Sequence, residues 1–278
     1  MSLFTASINS GSNGNCYYIG NESEAVLIDA GISCRETEKR MKQMGLKIEM
    51  VKAVFISHEH GDHIRGVESI ASKHKLPIYF TPATFTQSKL RVAAEQVIIF
   101  KAYEPVQIGG LSVLAFPKLH DAIDPHSFVV SGNGVNIGVF TDIGAPCEHV
   151  IKNFKHCHAI FLEANYDDVM LENGRYPYHL KRRIMGEHGH LSNLQARELF
   201  AAHRPTHMQQ VYLSHLSKDN NDPEEALRAF SDWAMQLHIS VASRYEAGPV
   251  YQVTCHSNYK MPAVAVRRKQ QSVQISLF

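Results

Sequence analysis

The 278-residue sequence lacks a long apolar run, and no stretch approaches the roughly 20 residues that a helix needs to span a bilayer. It has almost no net charge, with 28 Lys+Arg against 27 Asp+Glu for a formal +1. That excludes wholesale electrostatic coating of nucleic acid but leaves local basic patches open. Cysteine is sparse: Cys16, Cys34, Cys147, Cys157 and Cys255 are scattered and odd in number, which excludes a disulfide scaffold and points to a reduced, cytoplasmic setting. The opening MSLFTASINSGSNGN reaches polar turn residues too soon for a signal peptide. No short internal repeat is present. What is there is an ordinary globular balance, 44% hydrophobic and 20% charged, with one excess. The excess is 17 histidines, the commonest metal-ligating side chain, and it asks for a chemical explanation.

Periodicity gives strands broken by turns in the first half: Phe4–Asn9, Cys16–Ile19, Ala25–Asp29, Ala53–Ser57, Val97–Phe100, Val106–Ile108, Leu111–Phe116, Ser127–Ser131 and Val135–Thr141. Helices are expected over Glu36–Met44 and Ile64–His74. The second half adds strands Ala159–Glu163 and Gln210–Ser214, with helices Leu180–His188, Asn193–His203 and Pro223–Leu237. Ser192 can cap the second of these helices, and Pro223 fits the first turn of the third. Strands and helices in both halves imply one layered α/β domain, residues 1–257. From residue 258 to 278 the chain is polar, carries Arg267, Arg268 and Lys269, and reads as a flexible tail.

The most informative segment is His58-Glu59-His60-Gly61-Asp62-His63, at the end of the strand Ala53–Ser57. Imidazoles suit zinc and similar transition metals, and a carboxylate adds a harder ligand that helps neutralise a second ion. The plainer reading is a polar loop that happens to be histidine-rich. The hexapeptide resembles the His-x-His-x-Asp-His signature of the metallo-β-lactamase-fold hydrolases, and further residues fit that pattern in order: Asp29, His120, Asp142 and His215, each just after an apolar run. The resemblance implies an α/β fold, the αββα four-layer sandwich, with two divalent transition-metal ions, zinc foremost and manganese or iron as alternatives. It assigns His58, His60 and His120 to one ion, and Asp62, His63 and His215 to the other. Asp142 then bridges, and Asp29 orients the ligand loop by hydrogen bonds. His126 is the competitor to His120. An aspartate at position 142, where the lactamases proper carry cysteine, implies phosphoester chemistry through a hydroxide held between the ions.

Three further segments narrow the resemblance: Ser10-Gly11-Ser12-Asn13-Gly14-Asn15, Glu163-Ala164-Asn165-Tyr166-Asp167, and the run from Tyr176-Pro177 through Lys181-Arg182-Arg183 to Gly189-His190-Leu191-Ser192-Asn193. Together they resemble the YycJ/WalJ branch of the superfamily, which implies a DNA exonuclease. In that reading Asp62 and His190 are catalytic, with His190 protonating the leaving oxygen. Ser10, Ser12, Asn13, Asn165, Ser192 and Asn193 contact phosphate or substrate, with a helix start favouring the anion. Lys181, Arg182 and Arg183 either neutralise DNA phosphates or form a solvated helix face, and Arg65 is another phosphate candidate. His190 alone reads equally as a capping or supporting residue.

Gln274-Ile275-Ser276-Leu277-Phe278 resembles the peptide with which bacterial replication and repair proteins dock on the sliding clamp. Ile275, Leu277 and Phe278 supply apolar anchors and Gln274 a hydrogen bond. The expected function is a metal-dependent phosphodiesterase linked to DNA replication and repair, with no membrane role. RNA cleavage, thioester or lactam hydrolysis, and a non-catalytic clamp-binding adaptor are the alternatives.

Overall fold

The computed structural model describes residues 2–255. The domain boundary at residue 257 and the expected docking residues Gln274, Ile275, Leu277 and Phe278 lie outside the described residues. Strands β1 (Ser2–Asn9), β2 (Cys16–Gly20), β3 (Ala25–Ile28), β4 (Val51–Phe55), β5 (Ile78–Phe80) and β6 (Val97–Ile99) build the first sheet. The second sheet holds β7 (Val106–Ile108), β8 (Leu111–Pro117), β9 (His126–Gly132), β10 (Val135–Phe140), β11 (Ala159–Glu163), β12 (Gln210–Ser214) and β13 (His238–Val241). β14 (Tyr251–Thr254) returns to the first sheet and pairs antiparallel with β1. The helices are α1 (Cys34–Gln43), α2 (Gly61–Ile64), α3 (Val67–His74), α4 (Pro82–Ser88), α5 (Glu148–Phe154), α6 (Asp168–Asn173), α7 (Tyr178–Met185), α8 (Asn193–His203) and α9 (Pro223–Ala229). None of the described helices is long and apolar enough to cross a membrane.

Strict alternation sorts side chains between layers. Tyr17, Ile19, Val26, Ile28 and Phe55 face the second sheet, where they meet Phe128, Ile137, Val139, Phe161 and Tyr212 in a shared core. Their neighbours Cys16, Tyr18, Ala25, Leu27 and Val54 point the other way, against Met41 of α1 and Val67 and Ile70 of α3. On the second sheet Ile160, Leu162, Val211 and Leu213 likewise turn outward, onto Val150 of α5 and Leu199 and Phe200 of α8. Both sheets are thus buried on both faces, which is why their strands read as near-continuous apolar runs. The result is the expected αββα sandwich.

The expected helix Ile64–His74 is two. Gly66 interrupts it, because its backbone packs so closely on the loop after β3 that an added Cβ would lie 2.0 Å from the Ile32 carbonyl oxygen. The expected helix Pro223–Leu237 stops at Ala229. Phe230 and Trp233 both turn onto the Phe200 ring, at centroid distances of 5.5 and 5.0 Å, and carry the chain round into β13. Strands β5, β13 and β14 and helices α4, α5 and α6 are additions, all short segments whose own periodicity is weak.

What positions the site is strand direction. β3 and β4 are parallel neighbours, and so are β10, β11 and β12. Their carboxyl ends fall side by side, delivering Asp29, His58, Asp142, Glu163 and His215 to one rim of the sandwich.

Candidate metal centre

Three residues at this rim, Asp29, Asp142 and His215, have left-handed backbones with φ of 62, 54 and 57°. Non-glycine residues adopt that conformation at a cost of about 1–3 kcal/mol, and it turns each chain sharply out of its strand toward the others. The structure brings all seven expected ligands together. Nitrogen atoms of His58, His60 and His120 lie within 4.8 Å of one another, and so do ligand atoms of Asp62, His63 and His215. Asp142 sits between the triplets, with Oδ2 3.2 Å from His63 Nε2 and Oδ1 3.8 Å from His120 Nε2. His126 joins neither group; its Nδ1 lies on the Asp124 carbonyl and its ring packs on Phe100.

Hydrogen bonds on the outer side fix His63, His120 and His215. His63 Nδ1 lies 2.7 Å from Asp29 Oδ2, and the same carboxylate accepts from the Ser57 amide and hydroxyl, both at 2.8 Å. His120 Nδ1 donates to the Gly189 carbonyl at 3.0 Å, so in its neutral form Nε2 is a bare lone pair facing His60. His215 Nδ1 lies 2.9 Å from Glu163 Oε1.

Electrostatics divides the two triplets. Burial holds His58 well below the ordinary histidine range, reinforced by His63, and lowers His120 to about 4 against the pull of Asp142. Both are neutral at pH 7, the form that ligates metal. In the other triplet, burial works against charge but loses. Asp142, Asp29 and Asp62 lift His63 well above its usual value, and Asp142, Asp62 and Glu163 lift His215 to about 10. Asp62 falls to about 2, burial being outweighed by His63 and His215. Asp142 is likewise held well below the carboxylate range despite burial, by His215 and His63.

Divalent metal fits this donor set. In the first triplet, nitrogens of three imidazoles converge, His58 Nε2 lying 3.1 Å and His120 Nε2 3.4 Å from His60 Nδ1, as a shared cation requires. In the second, the buried carboxylates that favour positive charge on His63 and His215 would equally favour a metal cation there. Asp142 Oδ2 and His215 Nε2, both sealed from solvent, find no hydrogen-bond partner of adequate geometry.

Two supporting residues escaped the sequence reading. Glu163 is wholly buried, and its Oε1 receives both His190 Nδ1 and His215 Nδ1 at 2.9 Å, while Oε2 accepts from the Ile143 amide at 2.6 Å. Its carboxyl falls to about 2, burial being outweighed by His190 and by its bonds to both histidines. Asn15 is the other: the Gly11 amide and the Tyr17 hydroxyl donate to its Oδ1, which turns Nδ2 toward Asp62 Oδ2 at 3.2 Å and His63 Nε2 at 3.0 Å. Both sit inside quoted motifs, at a strand end and at the close of a glycine loop.

Several expected phosphate contacts are internal supports instead. Ser10 is buried and its hydroxyl accepts from the His215 amide at 2.8 Å. Asn165 donates to the His215 carbonyl at 2.8 Å. Ser192 is wholly buried and caps α8, its hydroxyl accepting from the Gln195 amide in a capping box. Asn193 exchanges hydrogen bonds with Asn221. Every backbone N–H from Gly189 to Asn193 already has an acceptor, so none of these amides is free for an anion. Ser12 and Asn13 stay exposed. His190 is beside both triplets, its side chain 21% exposed and its ring 5.1 Å from His120 and 5.2 Å from His215. On α7, Lys181 donates to the Glu172 carbonyl, Arg182 lies over Tyr178 and Arg183 pairs with Asp121. Arg65 donates to the Asn13 carbonyl.

The β-lactamase superfamily domain model matches residues 24–216, a span holding every candidate ligand. Exodeoxyribonuclease YycJ of Bacillus anthracis is 32% identical over 249 residues, covering 88% of this chain and 94% of that protein. The chain belongs to the β-lactamase superfamily, in its YycJ/WalJ branch. Exodeoxyribonuclease WalJ of Streptococcus pneumoniae is 31% identical over 237 residues, or 84% of this chain and 88% of that one. The crystal structure of the metallo-β-lactamase fold protein YhfI from Bacillus subtilis superposes with a TM-score of 0.69 over 91% of this chain and 100% of that chain, at 16% identity, a likeness of fold alone.

Proposed function

We propose that this chain is a dinuclear metal-dependent phosphodiesterase that acts on DNA as an exonuclease. The observation that carries this reading is the Asp142 carboxylate, buried between the two triplets where it can bind both ions. Resemblance to relatives named as exodeoxyribonucleases supports the substrate. His58, His60 and His120 would hold one ion, and Asp62, His63 and His215 the other, with zinc best matched to this imidazole-rich set. A bound pair supplies Lewis acidity at the phosphoryl oxygens and a nucleophile at neutral pH.

The chain's own residues do the rest. Asp29, Glu163 and Asn15 hold the ligands in orientation before any metal arrives. Glu163 accepts the Nδ1–H of His190, so that the imidazolium form can give its Nε2 proton to the departing oxygen and then take up a proton from solvent. Asp62 adds its charge beside the attacking side. Ser12 and Asn13 contact phosphate from the exposed tip of the first loop. The tail extends the reading to replication-linked repair, with Gln274, Ile275, Leu277 and Phe278 docking on a sliding clamp.

End-labelled DNA, the same sequence as RNA, and a chromogenic lactam, each incubated with metal-loaded protein, test the substrate. Stepwise shortening of the DNA is expected, and its loss in Asp142→Ala. Turnover of the lactam with intact DNA overturns the proposal. Equal binding of the clamp by full-length protein and a chain ending at residue 273 removes the docking reading.

A further inference from the structure

Beside the metal centre lies a cavity of about 410 Å³ that the reaction as described leaves unused. Ser10 and Leu216 form its inner wall, the first bonded to the His215 amide and the second next to His215 in the chain. The outer wall is Ser217, Lys218, Ser243 and Arg244. The Arg244 loop is tied to the first loop: the Ser10 amide donates to the Ser243 carbonyl at 3.2 Å, and Asn13 Nδ2 to the Arg244 carbonyl at 2.9 Å. Its guanidinium lies directly over Gly11, where an added Cβ would stand 3.1 Å from Nη2. Gly11 has φ of +128°, a backbone conformation that favours glycine.

Arg244 Nη1 is sealed from solvent and donates to nothing. A guanidinium is always charged and a donor only, so an empty N–H in such a place calls for an acceptor. The carboxylates nearby do not supply one, although Asp222 and Glu246 both line the cavity, and Glu246 forms no ion pair with either cation. Asp222 caps α9 through the Glu224 amide at 2.8 Å, and Asp219 accepts from the Tyr176 hydroxyl at 3.1 Å. No carboxylate pairs with Arg244 or Lys218 among the described residues. The Ser243 hydroxyl accepts from the Tyr245 amide, which leaves its O–H free to donate.

We infer that this cavity is a nucleotide subsite, which takes one phosphate of the strand on Arg244 and Lys218 and the attached sugar on the Ser243 hydroxyl. The volume falls in the range of small-ligand pockets and suits a single nucleotide. The shared wall with His215 places the bound nucleotide next to the scissile bond. This rests on the proposed nuclease reading, and makes Arg244 a substrate-binding residue of that reaction.

The test titrates thymidine 3′,5′-bisphosphate calorimetrically into metal-loaded full-length wild type, Arg244→Ala, Arg244→Lys and Lys218→Ala. It also measures kcat and KM on an end-labelled single-stranded oligonucleotide across salt concentrations. Metal content and melting temperature serve as folding controls. Arg244→Ala is expected to weaken bisphosphate binding at least tenfold and to raise KM more than it lowers kcat. It should also flatten the salt dependence by about 0.7 in slope, the loss of one phosphate contact. Arg244→Lys recovers part of the affinity, and Lys218→Ala shows a smaller loss in the same direction even if Arg244→Ala fails to fold. Unchanged bisphosphate affinity and KM in folded Arg244→Ala, with wild type cleaving DNA, overturns the subsite and leaves the exonuclease reading standing. Arg244-dependent bisphosphate binding by a wild type that cleaves no DNA does the reverse.

Discussion

His63 and Asp29 meet at 2.7 Å with both side chains wholly out of solvent. Asp29 closes β3, whereas His63 is delivered by the loop after β4, so the bond ties the ligand loop to the neighbouring strand. Replacing Asp29 with asparagine keeps the shape but removes the charge that holds His63 Nδ1. The second triplet should then lose about 10–100-fold in metal affinity, the usual cost of losing such a support. Competition against a chromogenic chelator reads this directly. Wild-type affinity in the variant would show that Asp29 does not orient the ligand.

Glu163 couples two histidines through one oxygen, His190 on the leaving side and His215 at the second triplet. Glu163→Gln retains size but cannot receive both N–H groups on a charged acceptor. Its kcat on DNA should fall by roughly 100–10,000-fold, the range of general acid–base assistance, with KM changed little. A matching rise in KM with kcat preserved would mean that Glu163 acts on binding instead.

The candidate ligands were legible because metal chemistry restricts residue types so strongly: few sequences place His, His, Asp and His within one short loop and then supply His120, Asp142 and His215 at strand ends. The strands of the double core were legible for a different reason, their burial on both faces. Glu163 and Asn15 carry no comparable signature, since any polar side chain at a strand end or in a glycine loop looks alike until its partners are known. Ser192 shows the opposite failure. Serine before a helix marks an anion site and an N-cap equally well, and the Gln195 that completes the capping box decides for the cap. β14 could not be read at all, because its pairing with β1 joins the two ends of the described chain.

Gly31 tests how closely the metal loop must approach β3. An added Cβ there would lie 1.7 Å from the Asp62 carbonyl oxygen, which itself accepts from the Asn15 amide at 2.7 Å. Gly31→Ala therefore has to displace the backbone of a ligand. A cost of about 1–3 kcal/mol is expected from overpacking. That corresponds to a fall of several degrees in melting temperature for a domain of this size. The same variant should bind metal more weakly. A melting temperature and metal affinity equal to wild type would mean that the loop is free to move.

Metal removal should destabilise the fold well beyond the site. The ligands come from the loops after β4, β8, β10 and β12, so bound ions join the two sheets at the rim where no apolar core reaches. A ligand that binds only the native state adds about 4 kcal/mol when present at a thousandfold above its dissociation constant. Chelator treatment followed by dialysis should therefore lower the melting temperature by roughly 10 °C, at a few degrees per kcal/mol. Adding zinc back should restore it. His60→Ala should begin from a lower melting temperature and respond less to the chelator, because the first triplet has lost one of its nitrogens. Scanning calorimetry on the two proteins, with and without chelator, distinguishes this from nonspecific damage, which would lower both melting temperatures by the same amount.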